Sequence, residues 1–246
     1  MTTMASFHHS VKSGKRGAAA EHARYITRQG KHSSHVDELV DTGHGNLPEW
    51  ASDDPSKFWR AADKYERKNG TAYREHEIAL PNELTLEQQQ ELVQTIVGEF
   101  IGRKPFQFAV HSTASALAGE ANTHVHLMFS DRLDDGIDRD PKKTFKRFNA
   151  KQPHGGGRRK DSGGKNRLEL RDNLMALRER CAEMQNGALA RSGHAARVDH
   201  RSLQAQGIER SPEWHLGPAQ IRSMSDAEKE RYLSARQPSE SASADA

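Results

Sequence analysis

The stretch Asn122-Thr123-His124-Val125-His126-Leu127-Met128-Phe129-Ser130 alternates as a strand does, with Val125, Leu127 and Phe129 on one face and His124, His126 and Met128 on the other. Residues two apart on a strand point the same way, so the two imidazoles converge while Val125 turns into a core. A second run, Pro105 to Ser112, places Phe106, Phe108 and Val110 on one face and His111 on the opposite one. Paired antiparallel across the intervening loop, the two runs bring His111 beside His124 and His126. Three neutral imidazoles can hold one divalent ion and leave positions open for water or a phosphate oxygen, as catalytic sites do and closed structural sites do not. The other reading open to these residues is a solvated strand face that carries no metal.

Tyr73 to Leu80 is another candidate strand, closed by Pro81. Glu75 and Glu77 share one face of it and Ile78 and Leu80 the other, so both carboxylates can reach one place while His76 points away. A carboxylate there can ligate an ion, orient a histidine from behind or take a proton; two exposed acids on an edge strand are the alternative. Ser6 to Lys12 is a shorter candidate strand. Helices are expected over residues 17–29 and from Pro55 to Gly70, the latter with Phe58, Ala61, Ala62 and Tyr65 on one face. A third follows the capping box Thr85-Leu86-Glu87-Gln88, with the stripe Leu92, Val93, Ile96, Val97, Phe100 and Ile101. Later, Leu170, Leu174, Leu177, Cys181 and Met184 fall at the spacing of a buried helix seam, which makes Cys181 a core residue. This order predicts an α+β fold, a largely antiparallel central sheet with helices on one face, followed by a helical C-terminal part.

The chain has 246 residues, 14 of them histidine and one cysteine, so no internal disulfide framework or cysteine-cluster metal site is available. No apolar run approaches the roughly 20 residues that cross a bilayer, and the first residues lack the apolar stretch of a secretion signal, so no membrane insertion and a cytoplasmic location are expected. Charge is concentrated: between Arg139 and Arg167 stand eleven Lys or Arg against Asp140 and Asp161, the density of a phosphate-contacting zone. Lys142, Lys143, Lys146, Arg147, Arg158, Arg159 and Lys160 are the candidate DNA contacts. Phe145 and Phe148, interleaved with them, are candidate stacking surfaces for unpaired bases. The glycines at 155–157 and 163–164 suggest a flexible basic loop over 139–167; a solvated loop with no partner is the plainer possibility. The polar end of the chain suggests a main domain over 1–224 and a tail over 225–246, disordered at its end.

A phosphate-cutting site also needs a nucleophile. Of the four tyrosines, Tyr25 alone lies outside an obvious packing stripe or the helix near the tail, in an alanine-rich segment where Arg24 and Arg28 can hold phosphates nearby. From composition alone a tyrosine here reads first as a packing residue.

Taken together, the chain resembles the relaxase domain of the MobA/MobL class of plasmid mobilisation proteins, within the HUH endonucleases. The resemblance rests on Met4-Ala5-Ser6-Phe7-His8, Ala23-Arg24-Tyr25-Ile26, Glu75-x-Glu77-x-Ala79-Leu80-Pro81, His111, His124-x-His126-Leu127-Met128, Asp199-His200-Arg201-Ser202 and Gln206-Gly207-Ile208-Glu209-Arg210. It implies that Tyr25 attacks one strand at a plasmid origin of transfer, leaving a 5′-phosphotyrosyl link and a free 3′-hydroxyl, and that the same site later rejoins the strand. It implies that His111, His124 and His126 hold a divalent metal, Mg or Mn in the family, where three imidazoles also suit Zn, Ni or Co. Glu75 or Glu77 would orient a ligand or accept the tyrosine proton. Single-stranded origin DNA, accessory proteins at the origin and a type IV secretion coupling protein are the partners implied. Three other readings stay open: a replication initiator or transposase with the same cluster, a metal phosphodiesterase that uses water, and a DNA-binding protein without catalysis.

Overall fold

The computed structural model describes residues 7–114, 121–208 and 218–234. Five strands, β1 (His9–Lys15), β2 (Leu39–Gly45), β3 (Thr71–Ala79), β4 (Phe106–Ala114) and β5 (Ala121–Phe129), form one sheet in the order β1-β3-β5-β4-β2. All neighbours are antiparallel, and the histidine-bearing β5 lies at the centre. The alternating runs that become β4 and β5 pair with His111 directly opposite His124.

Helices cover both faces. Behind the sheet, α3 (Leu86–Ile101) and α5 (Arg167–Arg191) enclose Ile78, Phe108, Val110, Val125 and Leu127. In front, α1 (Ala19–Ile26), α2 (Pro55–Tyr65) and the short α4 (Pro141–Thr144) surround Ala109, Met128 and Phe145. The expectation of helices on one face is thus corrected. The histidine face also carries Ala109 and Met128, both fully buried, and these give a second layer something apolar to cover. The capping box at Thr85 and Gln88 forms as expected.

β2 has no strand signal in its sequence, because two of its residues are glycines. Their lack of a side chain is what fits them: a Cβ on Gly43 would meet the Phe108 ring at 2.4 Å, and the same relation joins Gly14 of β1 to Tyr73 of β3 at 1.9 Å. Aromatic rings lie across glycines on both edge strands and cover backbone that would otherwise face water.

The basic segment 139–167 is folded onto the sheet rather than a free loop. Arg132, 3% exposed, donates to both oxygens of the buried Glu66 and to the carbonyls of Phe145, Lys146 and Arg158. Arg139 joins Asp135 to the carbonyls of Pro153 and Gly156. Gly157 serves close packing instead of hinging, since a Cβ there would strike the Lys146 carbonyl at 2.1 Å. Phe145 is not a stacking surface: it is fully buried against Phe58, filling the space beneath the segment, whereas Phe148 stays 37% exposed.

On α5 the core seam begins late. Cys181, Met184 and Leu189 are buried and Leu177 packs against them, while Leu168, Leu170 and Met175 are exposed, because no described element covers those first turns. Two further helices, α6 (Pro218–Ser223) and α7 (Asp226–Ser234), follow, so the start of the polar tail is helical. Residues 1–6, 209–217 and 235–246, which include the opening motif at Met4 to Ser6, Glu209-Arg210 and the end of the tail, lie outside the described residues.

Candidate active site

Strand periodicity delivers the histidines. Ring centroids of His111, His124 and His126 stand 4.8 to 5.4 Å apart, and one ligand atom from each lies within 4.8 Å of the others. Each imidazole is held from outside by one ring N–H. His111 Nε2 donates to the Ile26 carbonyl at 2.6 Å, His124 Nδ1 to the Asn122 carbonyl at 3.1 Å and His126 Nδ1 to Glu75 Oε1 at 2.7 Å. The opposite nitrogens, Nδ1 of His111 and Nε2 of the other two, are thereby left with lone pairs, and an N–H fixed by a carbonyl or carboxylate is how metal-binding histidines are normally oriented. Burial, offset in part by the bond to Ile26, brings His111 down to about 4, and burial with the neighbouring His126 lowers His124. At neutral pH these two are unprotonated bases, the form that ligates. The donor set therefore fits a divalent cation.

The carboxylates separate by environment. Glu75 is fully buried, and burial alone would raise its pKa; hydrogen bonds from His126 and His22 outweigh this and hold it down to about 2. Both of its oxygens are committed, so Glu75 is an orienting anion. Glu77 is partly exposed, forms an ion pair with Lys12 and lies 4.0 Å from His126 Nδ1. Glu75, Glu77 and His126 make a second group that could hold a cation, sharing His126 with the first.

Tyr25 comes to this cluster on α1. Its ring is 40% exposed and lies 6.3 Å from that of His126, between His22 at 5.8 Å and His32 at 5.4 Å. The helix is anchored at both ends. Ala18 offers no cap, and Asp63 of α2 supplies one from outside, accepting from the backbone N–H groups of Gly17, Ala19 and Ala20 at 2.8 to 2.9 Å. At the other end the Ile26 carbonyl accepts from His111, so the helix that carries Tyr25 and this imidazole are joined directly.

The structure thus brings together Tyr25, Glu75, Glu77, His111, His124 and His126, and adds residues the sequence reading missed. His22 had a signal, since it sits three residues before Tyr25 on the same helix face. Lys12 had none, because its place depends on β1 pairing with β3. Of the expected DNA contacts, Arg24 is half-exposed beside Tyr25. Arg28 is turned inward, its side chain 8% exposed and bonded to Glu38 at 2.7 Å. Two others are corrected: Arg158 is buried against Asp134 at 2.8 Å, and Lys160 is spent on the Thr71 carbonyl and Glu66, because cations beneath a folded segment must be neutralised there. Lys142, Lys146, Arg147 and Arg159 remain exposed, with Lys143 half-buried. This basic face lies toward the Thr71 and Phe129 end of the sheet, away from the histidines.

Comparison with known proteins identifies the family of the chain. The chain is 49% identical over 209 residues to the "43 kDa relaxation protein" of Salmonella typhimurium, which covers 84% of this chain and 56% of that protein. It is 43% identical over 220 residues to "Mobilization protein A" of Escherichia coli, covering 87% of this chain and 30% of that one. It therefore spans about half the length of the first relative and under a third of the second. A solved structure from work on the molecular basis of vancomycin resistance transfer in Staphylococcus aureus shares the fold, with a TM-score of 0.57 at 20% identity, covering 80% of this chain and 100% of that chain. Residues 11–226, which include every residue of the cluster, match the profile of one family, and the chain belongs to it: the MobA/MobL family.

Proposed function

We propose that this chain is a DNA relaxase domain that nicks one strand at a plasmid origin of transfer through Tyr25 and later rejoins it. The observation that carries the reading is the half-exposed Tyr25 phenol, fixed through Ile26 to one histidine of a three-imidazole cluster. Attack of the Tyr25 oxygen on phosphorus forms a phosphotyrosyl bond at the 5′ end and releases the 3′-oxygen as a hydroxyl; the reverse step reseals the strand. His111, His124 and His126 would hold a divalent cation, Mg or Mn by family resemblance, which would supply charge stabilisation at the scissile phosphate. Glu75 keeps His126 turned correctly, while Glu77, the carboxylate not committed to an imidazole, takes the phenol proton. Arg24 holds phosphate near Tyr25.

The basic segment grips the DNA beyond the site. Its inward cations, Arg139, Arg158 and Lys160, are matched by Asp135, Asp134 and Glu66. Its outward ones, Lys142, Lys143, Lys146, Arg147 and Arg159, have no acidic partner among the described residues and are left for phosphates, with exposed Phe148 beside them. Among the described residues no helix is long and apolar enough to cross a membrane. The reaction places the protein with plasmid DNA in the cytoplasm, together with accessory proteins at the origin and a secretion coupling protein.

The test uses single-stranded oligonucleotides tiling the DNA beside the protein's own gene, with Mg or Mn, resolved on a denaturing gel. The expected product is a metal-dependent protein–DNA adduct, lost in Tyr25→Phe with DNA binding retained. Cutting that survives Tyr25→Phe would make water the nucleophile, and binding without cutting would leave a non-catalytic DNA-binding protein.

A further inference from the structure

Arg28 stands where its local backbone does not favour an arginine. It follows the end of α1 with φ +53, a left-handed conformation that glycine or asparagine adopts most easily after a helix. The residue is therefore held for what its side chain does. That side chain is 8% exposed, and its Nε is buried without a hydrogen-bond partner. The guanidinium lies over the Tyr25 ring at 5.1 Å, is bonded to Glu38 at 2.7 Å and donates through Nη2 to His111 Nδ1 at 3.3 Å.

The last contact conflicts with metal ligation. His111 Nε2 is taken by the Ile26 carbonyl, so Nδ1 carries the lone pair that a metal would use, and Arg28 occupies it. A lone pair cannot serve both an N–H donor and a cation. We propose that Arg28 is a positioning residue that competes with the metal for His111: its guanidinium holds the Nδ1 lone pair in the metal-free protein and is released when a divalent cation binds. Still tethered by Glu38 and already over Tyr25, the freed guanidinium turns its unpartnered Nε–H toward the phosphate that Tyr25 attacks. Metal occupancy and readiness of the phosphate-holding cation are then one event. This inference rests on the metal-site reading given above.

The test is the Mn(II) affinity of the whole chain without DNA, read from the free-ion signal by electron paramagnetic resonance, with thermal melts as a folding check. Arg28→Met removes the competitor and is expected to bind Mn(II) about tenfold more tightly, the scale of one charge-assisted hydrogen bond. Glu38→Gln, which leaves the guanidinium uncompensated, is expected to bind it more weakly. A merely structural Arg28 would give weaker binding in both variants. If wild type binds Mn(II) in a His124-dependent way but Arg28→Met binds it no more tightly, the competition is refuted while the metal site stands. If neither binds Mn(II), the metal-site reading falls and the proposal with it.

Discussion

Glu75 is fully buried, and each of its oxygens accepts from a different imidazole, His126 and His22. A carboxylate so placed tunes a ligand without touching the ligand's own partner, and loss of such a group normally lowers metal affinity about 10- to 100-fold. Glu75→Gln is expected to fall in that range by Mn(II) titration with the fold intact; unchanged affinity would remove Glu75 from the role. The sequence placed Glu75 and Glu77 on one face but left them equivalent, because strand parity reports direction and says nothing of depth. Depth comes from neighbours: His126 of β5 and His22 of α1 close over Glu75, while Glu77 stays partly exposed and is reached by the Lys12 ammonium from the edge strand. Parity likewise gave His111, His124 and His126, because both strands alternate cleanly. Phe145 was misplaced because an aromatic among lysines has the same local pattern whether it faces a base or fills a gap.

The elements that alternate or cap strongly were readable, namely β4, β5, β3 and α3. β2 was not, since its pairing depends on aromatic rings from a neighbouring strand lying across its glycines. The anchoring of α1 was equally hidden, because its cap comes from Asp63, far along the chain on α2. Three backbone N–H groups lose their acceptor in Asp63→Ala, and a lost helix cap costs about 0.5–2 kcal/mol. The variant is expected to lose at least the upper part of that range in denaturant unfolding. Adduct formation is expected to fall further than Kd for DNA rises, because it is Tyr25 that moves. Equal loss of binding and cutting would mean Asp63 does not set the nucleophile.

At the scale of the whole molecule, the two sheet faces have divided the histidines between two tasks. In front, His111, His124 and His126 converge; behind, His9 and His76 are bonded at 2.9 Å and stacked among Phe100 and Phe129. Burial, with smaller contributions from neighbouring cations and imidazoles, lowers His9 to about 4 and His76 to about 3. The folded protein refuses protons there that the unfolded chain accepts near its ordinary value of 6.5. Stability is therefore full above pH 6.5 and declines as pH falls toward 4. The Tm measured from pH 7 to 5 should drop, and less so in a His9→Leu, His76→Phe double variant; the same drop in both would contradict this. In front, one hydrogen bond, from His111 to the Ile26 carbonyl, ties the helix that carries Tyr25 to the imidazole cluster, and under the proposed function Tyr25 forms a covalent bond to DNA beside that cluster. Digestion of the protein–oligonucleotide adduct followed by mass spectrometry tests this most directly. The expected result is a nucleotide phosphate on the peptide that contains Tyr25, formed only with divalent metal; a phosphate on another residue, or cleaved DNA with no modified peptide, would contradict it.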